Sequence, residues 1–323
     1  MVTRWRYRTL GEAMSLERII QTEQLTKHYG AFKAVQQLNC RVRSGRITGF
    51  LGRNGAGKSS TIKMLLGMIK PTWGHGTVLG HRIDDPKGSL EIRKRIAYVG
   101  EDKGLYGYMT VEQLIWFTRS FSTDWRPEIE KRLLKQYRLP LDRKVKALSK
   151  GMRTKLALLL ALSRSPALLI LDEPTEGLDP VSIEELLQTL VGAPHQGTTV
   201  FFSSHQLAEV ERIADDILMI DQGRSVLDMP LEQIRENYRR VTFGFADHPP
   251  ALPSKFDGIE RTRMNGRQIT ILASRNAAAI AQLGRERNAV DIDVSPLGLR
   301  EIFLEIVQEQ DHLGEQEHHD VLV

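Results

Sequence analysis

Cysteine is almost absent from this chain of 323 residues, where Cys40 stands alone. One thiol closes no internal disulfide and builds no cysteine-rich zinc module, which suits a reducing compartment such as the cytoplasm. Long hydrophobic runs are missing as well. The longest, Leu156 to Leu162, stops at Ser163 and Arg164, far short of the roughly 20 apolar residues that cross a bilayer. A role at a membrane therefore calls for another chain to supply the span. The segment Met1 to Ala13 carries Arg4, Arg6 and Arg8 beside Trp5 and Tyr7 but lacks the apolar centre of an export signal. It reads as a tail, with Met14 as an alternative start. No internal repeat, low-complexity tract or sustained heptad is evident. Charge is not one-sided either: 45 Lys and Arg face 40 Asp and Glu, a formal +5, and the basic residues are scattered as on a solvated surface rather than gathered into a block.

What is present is concentrated in a few segments. Gly52-Arg53-Asn54-Gly55-Ala56-Gly57-Lys58-Ser59 fills every fixed position of the phosphate-binding pattern G-x-x-x-x-G-K-[ST]. Its glycines let backbone N–H groups turn inward around an anion, Lys58 adds a point charge on the β- and γ-phosphates, and Ser59 offers a hydroxyl to Mg²⁺. With Ser60 the run opens a helix whose positive end faces the same phosphates. Ile47 to Leu51 reads as the buried strand entering the loop and Thr61 to Leu66 as the helix leaving it. A nucleoside triphosphate is the expected ligand.

A second segment, Leu168-Leu169-Ile170-Leu171-Asp172-Glu173, is a buried strand ending in two acids. Such an end suits Asp172 to hold Mg²⁺ and Glu173 to orient and deprotonate an attacking water. From Gln24 to about Asp228, short β-rich runs alternate with helical ones, the pattern of a three-layer α/β domain around a partly parallel sheet. A helical stretch from about 110 to 165, broken at Trp125-Arg126-Pro127 and Leu139-Pro140-Leu141-Asp142, reads as an inserted subdomain.

Upstream of the acidic strand end, Leu148-Ser149-Lys150-Gly151-Met152 opens another helix. Taken with Pro174-Thr175-Glu176-Gly177-Leu178-Asp179-Pro180 and Ser203-Ser204-His205, the ordered set resembles the signature loop, D-loop and switch histidine of ATP-binding cassette (ABC) ATPases. The resemblance covers about residues 20–228. It implies a P-loop ABC ATPase fold, ATP and Mg²⁺ as cofactors, and two cassettes paired head to tail. Ser149 and Gly151 of one copy would then meet the γ-phosphate held by the other. His205 would bridge that phosphate and the side of the dimer where Asp179 stands, and Tyr29 would stack on adenine. Outside that resemblance Tyr29 reads as ordinary core packing.

Two positions depart from the family pattern. Glu101 occupies the place of a glutamine that contacts Mg²⁺ and the attacking water, and Lys150 and Met152 stand where glycine and glutamine are commonest. The following aromatics, Tyr106 and Tyr108, are read two ways: as the surface that receives a permease's coupling helix, or as a loop packed on its own helical subdomain. The wording of the signature, Glu101 and Leu299-Arg300-Glu301-Ile302-Phe303-Leu304 resemble ATPase subunits of bacterial type-2, multidrug-type exporters. That implies a homodimer, or a heterodimer with a sister ATPase, on the cytoplasmic face of the cell membrane beneath a separate permease. The alternative is an ABC-type ATPase acting on nucleic acid or ribosomes, which one cassette without heptads or zinc modules disfavours.

The expected organisation is a tail over 1–19, an ATPase domain over 20–228, a small accessory α+β domain over 229–310 and a polar tail over 311–323. Within the accessory domain, Asn265-Gly266 marks a hairpin, Ala277 to Arg285 a helix, Val290 to Val294 a half-buried strand, and Leu299 to Val307 a closing helix. His312, His318 and His319 read as solvated rather than metal-binding residues.

Overall fold

The computed structural model describes residues 18–251 and 256–306; most of the N-terminal tail, and the C-terminal tail with its three histidines, lie outside them. The chain divides into two compact units, Met1–Asp228 and Met229–Val323.

The first unit opens on two long strands, β1 (Arg18–Tyr29) and β2 (Phe32–Arg43), joined by a hairpin in which Tyr29 pairs with Phe32. Tyr29 thus ends a strand rather than preceding the first strand pair, as its sequence context suggests. Next comes β3 (Ile47–Leu51), then β4 (Trp73–Val78) and β5 (His81–Arg82). β1, β2, β4 and β5 form an antiparallel sheet of order β2-β1-β4-β5. Its strands are irregular. The register slips on either side of Leu25, near Gln24 and Gln37, whose φ angles of 47° and 49° lie in the left-handed region.

β3 belongs to the central sheet, with β6 (Ile96–Val99), β7 (Leu168–Leu171), β8 (Thr199–Ser204), β9 (Asp216–Asp221) and β10 (Arg224–Pro230), in the order β10-β9-β3-β8-β7-β6. β3 runs parallel to β8 and β9, and β7 runs parallel to β6 and β8. Every residue of β3, β7, β8 and β9 is buried, as expected of parallel strands covered on both faces. Their carboxyl ends deliver the P-loop, the Asp172-Glu173 pair and His205, the edge at which open α/β sheets bind ligands.

The helical stretch comprises Val111–Ser120, Pro127–Tyr137 and Lys150–Ser163. Thr110 starts the first with a capping box: its hydroxyl accepts from the Gln113 N–H, and the Gln113 side chain accepts from the Thr110 N–H. Pro127 starts the second, which ends on Arg138 at a left-handed φ of 50°. Ser149 caps the third by accepting from the Met152 N–H. No helix among the described residues is long and apolar enough to cross a membrane.

The second unit has its own core around Val241, Phe243, Ile269, Ile271 and Ile280. Strands β11 (Arg239–Gly244), β12 (Ile259–Asn265), β13 (Gln268–Ala273) and β14 (Asp291–Pro296) form an antiparallel sheet of order β12-β13-β11-β14. The helix Ala277–Glu286 packs on it, its Gly284 set directly against the Phe243 ring. β14 departs from the half-buried alternation of its sequence. It is an edge strand with β11 as its one neighbour, so Ile292 reaches the core while Val290 and Val294 stay exposed.

Candidate functional site

Between β3 and the helix Lys58–Leu65, the P-loop lies against its neighbours at Gly52 and Gly57 with no room for a side chain. A Cβ at Gly52 would stand 2.6 Å from the Ile220 carbonyl oxygen. At Gly57, where φ is 103°, a Cβ would stand 2.3 Å from the carbonyl oxygen of Ala34. Ala56 is buried and its N–H donates to the Arg53 carbonyl. The loop borders a cavity of about 390 Å³ whose wall includes Asn54, Gly55, Gly57, Lys58, Ser59 and Ser60.

Lys58 is buried and shared. Its Nζ donates to the Gly52 carbonyl at 2.8 Å and approaches Glu173 Oε1 at 3.1 Å. That approach is an ion pair outside hydrogen-bond alignment, since Glu173 Oε1 has no hydrogen-bond partner. The other oxygen, Oε2, faces His205: it lies 2.8 Å from Nδ1 and accepts from the His205 N–H at 3.2 Å. Glu173 itself holds φ at 47°, a conformation that side chains avoid unless their surroundings impose it. The imposing contact comes from β8. Ser203 Oγ accepts from the Glu173 N–H at 2.9 Å and donates to Asp172 Oδ1 at 2.7 Å. One hydroxyl therefore anchors both acids.

Glu101 follows β6 and lines the same cavity. It faces Glu176, and the neighbouring charge of Glu176, more than burial, pushes its carboxyl above the usual range. Tyr98, on β6, is pushed up to about 12 by burial and by the charges of Asp172 and Glu101. Asp172 is buried behind this surface.

The sequence assigned no role to three participants. Phe32 lies on the cavity wall and is largely exposed, whereas Tyr29, its cross-strand partner, is not among the lining residues. Glu176 and Ser203 are the others. An acid beside Gly177 and a serine ending an otherwise apolar strand were the available signals. Ser149, Gly151 and Asp179 are held away from the cavity wall, close to one another. Asp179 caps the helix Pro180–Gly192 through the Ser182 N–H and hydroxyl, and a Cβ on Gly151 would meet that hydroxyl at 2.9 Å.

Tyr106 and Tyr108 form part of an aromatic surface. Tyr106 sets its ring 5.6 Å from Phe117 of the helix Val111–Ser120, and Phe117 lies 5.0 Å from Phe121. The loop thus packs on its own helix, yet Tyr108, Trp116 and Phe121 remain 67%, 71% and 78% exposed.

The ABC transporter family model matches residues 35–176. The chain is 37% identical over 238 residues to the bacitracin transport ATP-binding protein BcrA of Bacillus licheniformis, covering 72% of this chain and 77% of that protein. It is 36% identical over 219 residues to the daunorubicin/doxorubicin resistance ATP-binding protein DrrA of Streptomyces peucetius, covering 65% of each. Among solved structures, the ATP-binding subunit of an ABC transporter superposes with a TM-score of 0.62 at 31% identity, over 68% of this chain and 92% of that one. A dimeric bacterial ABC transporter cassette superposes with a TM-score of 0.59 at 23% identity, over 66% and 98%, a likeness of fold alone.

Proposed function

The chain belongs to the ABC transporter family as an ATP-binding, ATP-hydrolysing subunit, and from this premise we propose that it works in an exporter, as a head-to-tail homodimer beneath a separate membrane permease. The observation that carries the catalytic part is one connected set at the cavity: Lys58, Glu173 and His205 on its wall, paired through Glu173, with Ser203 behind them tying Glu173 to Asp172.

The chemistry follows from that set. P-loop N–H groups and Lys58 take the β- and γ-phosphates, so Lys58 exchanges a carboxylate for a phosphate. Glu173, released from Lys58 but still held at Oε2 by His205, accepts the proton of the attacking water as the γ-phosphoryl group transfers. The products are ADP, inorganic phosphate and a proton on Glu173. Lys58 and the loop N–H groups stabilise the charge that spreads over the phosphoryl oxygens. Ser149 and Gly151 of the second copy complete the cage around the γ-phosphate, and Asp179 lies beside them. Tyr29, with Phe32 as a second ring, stacks on the base.

Ser59, Asp172 and Glu101 would hold Mg²⁺. The donor set fits: a hydroxyl and two carboxylates are hard oxygen ligands, and Mg²⁺ accompanying a nucleotide uses few carboxylates together with phosphate oxygens. No cluster of three His, Cys, Asp or Glu forms a closed cage among the described residues. When bound, the ion neutralises phosphate charge.

The names of the relatives, bacitracin transport and daunorubicin/doxorubicin resistance, support export of antibiotic-like molecules chosen by the permease. The exposed aromatic surface around Tyr108, Trp116 and Phe121 is where the permease would dock, holding the subunit at the cytoplasmic face of the membrane. Action on nucleic acid or ribosomes has no support among these relatives. A mixing experiment tests the pairing. Lys58→Ala and Ser149→Arg proteins should each be inactive alone, while their mixture regains ATPase activity, because a mixed dimer holds one intact pairing of P-loop and signature. Absence of recovery when mixed dimers form would overturn the head-to-tail arrangement, and recovery only with a sister ATPase would replace the homodimer.

A further inference from the structure

Two sheets meet at the nucleotide cavity, and each brings one half of its wall. β2 of the antiparallel sheet carries Phe32 and Ala34, and the P-loop leaves β3 of the central sheet. The turn Gln222-Gly223, between β9 and β10, reaches both. The Gly223 N–H donates to the Ala56 carbonyl in the P-loop at 3.0 Å, and the Gly223 carbonyl accepts from the Gln36 N–H of β2 at 2.8 Å. Gln222 and Gly223 lie at left-handed φ, 44° and 78°, and a Cβ on Gly223 would stand 2.9 Å from the Ala34 carbonyl oxygen. That carbonyl is the one that also abuts Gly57 of the P-loop. The Gln36 side chain closes the joint from the other side. Its Nε2 donates to the Gln222 carbonyl at 2.9 Å, and its Oε1 accepts from Arg224 Nη2 at 3.3 Å. Both ends of one amide are thus spent on the turn and the strand that follows it.

Gln36 is not among the residues that line the nucleotide cavity, so it acts on a ligand through what it holds. A nucleotide has a fixed reach from base to γ-phosphate. A ring on β2 adds to its binding in full only when the ring is already held at the matching distance from the P-loop. We infer that Gln36 is a positioning residue for the nucleotide: by tying the Gln222-Gly223 turn to β2, it sets Phe32 at the spacing from the P-loop that lets one ligand occupy both. This inference rests on the ATP-binding reading above. It gives Gln36 an effect on the base half of the ligand and none on the triphosphate half, because Ala56 keeps its own bond to Gly223 when the Gln36 side chain is removed.

Full-length wild type, Gln36→Ala and the nearly isosteric Gln36→Met are titrated calorimetrically with ATP and, separately, with inorganic tripolyphosphate, which fills the P-loop without a base. Both variants are expected to bind ATP about three- to tenfold more weakly, the scale of one lost hydrogen bond, and to bind tripolyphosphate as wild type does. Phe32→Ala should lower ATP affinity as well. Adding Gln36→Met to it should then cost little more, because the two substitutions act on one contact. Variants that had merely loosened the fold would lose both ligands together, and that result overturns the inference. Unchanged ATP affinity in both Gln36 variants, or losses that add in full to that of Phe32→Ala, overturn it too while leaving the nucleotide reading intact. Wild type that binds neither ligand would bring down the nucleotide reading and the inference with it.

Discussion

Ser203 shows how much of this site depends on one small hydroxyl. It bonds the Asp172 carboxylate and the Glu173 N–H together, so Ser203→Ala should leave a buried carboxylate and a backbone donor short of partners. The expected cost is about 1–3 kcal/mol in urea unfolding, with slower ATP turnover; unchanged stability and turnover would show that the acids need no common anchor. Glu101 supplies a pH signature. Its folded-state pKa is raised by Glu176, so its contribution to stability is present at low pH and is lost as pH rises through that raised value. Glu101→Gln removes the loss. The variant's melting temperature relative to wild type should therefore climb as pH rises above the ordinary carboxylate range, and a flat difference would contradict the repulsion from Glu176. The acids themselves were legible, because two carboxylates after four apolar residues demand a cation or a catalytic task. Their contacts were not, because Lys58 follows β3 while Ser203 and His205 come from the end of β8, strands that only the parallel sheet brings together with β7.

Among the elements, the central strands and the P-loop were the easiest to read. Uninterrupted apolar runs such as Leu168 to Leu171 match strands buried on both faces, and the P-loop pattern tolerates few substitutions. Gly57 shows why: φ is 103° and the Ala34 carbonyl blocks any Cβ. Gly57→Ala should displace the loop and weaken nucleotide binding by at least about tenfold in calorimetric titration. Wild-type affinity would mean that the loop can move at little cost. The β1–β2 pair was hidden by its irregularities. Residues such as Gln24 and Gln37, at left-handed φ beside register shifts, break the period of two on which strand recognition depends. β14 misled in the opposite sense, since its alternation promised a buried face that an edge position does not supply.

At the scale of the whole molecule, the sequence reads an ATPase domain to 228 and an accessory domain from 229, and the structure divides the chain into Met1–Asp228 and Met229–Val323. What a single chain cannot display is the pairing on which the mechanism depends, since Ser149, Gly151 and Asp179 stay off the cavity that Lys58 and Glu173 share. The most direct measurement is ATP turnover by phosphate release together with molar mass by light scattering, for wild type and Glu173→Gln. The account predicts that the variant binds ATP, forms a dimer in its presence and loses at least about 100-fold in turnover, as removal of a general base implies. A variant that hydrolyses ATP at the wild-type rate, or that stays monomeric with ATP bound, would contradict it.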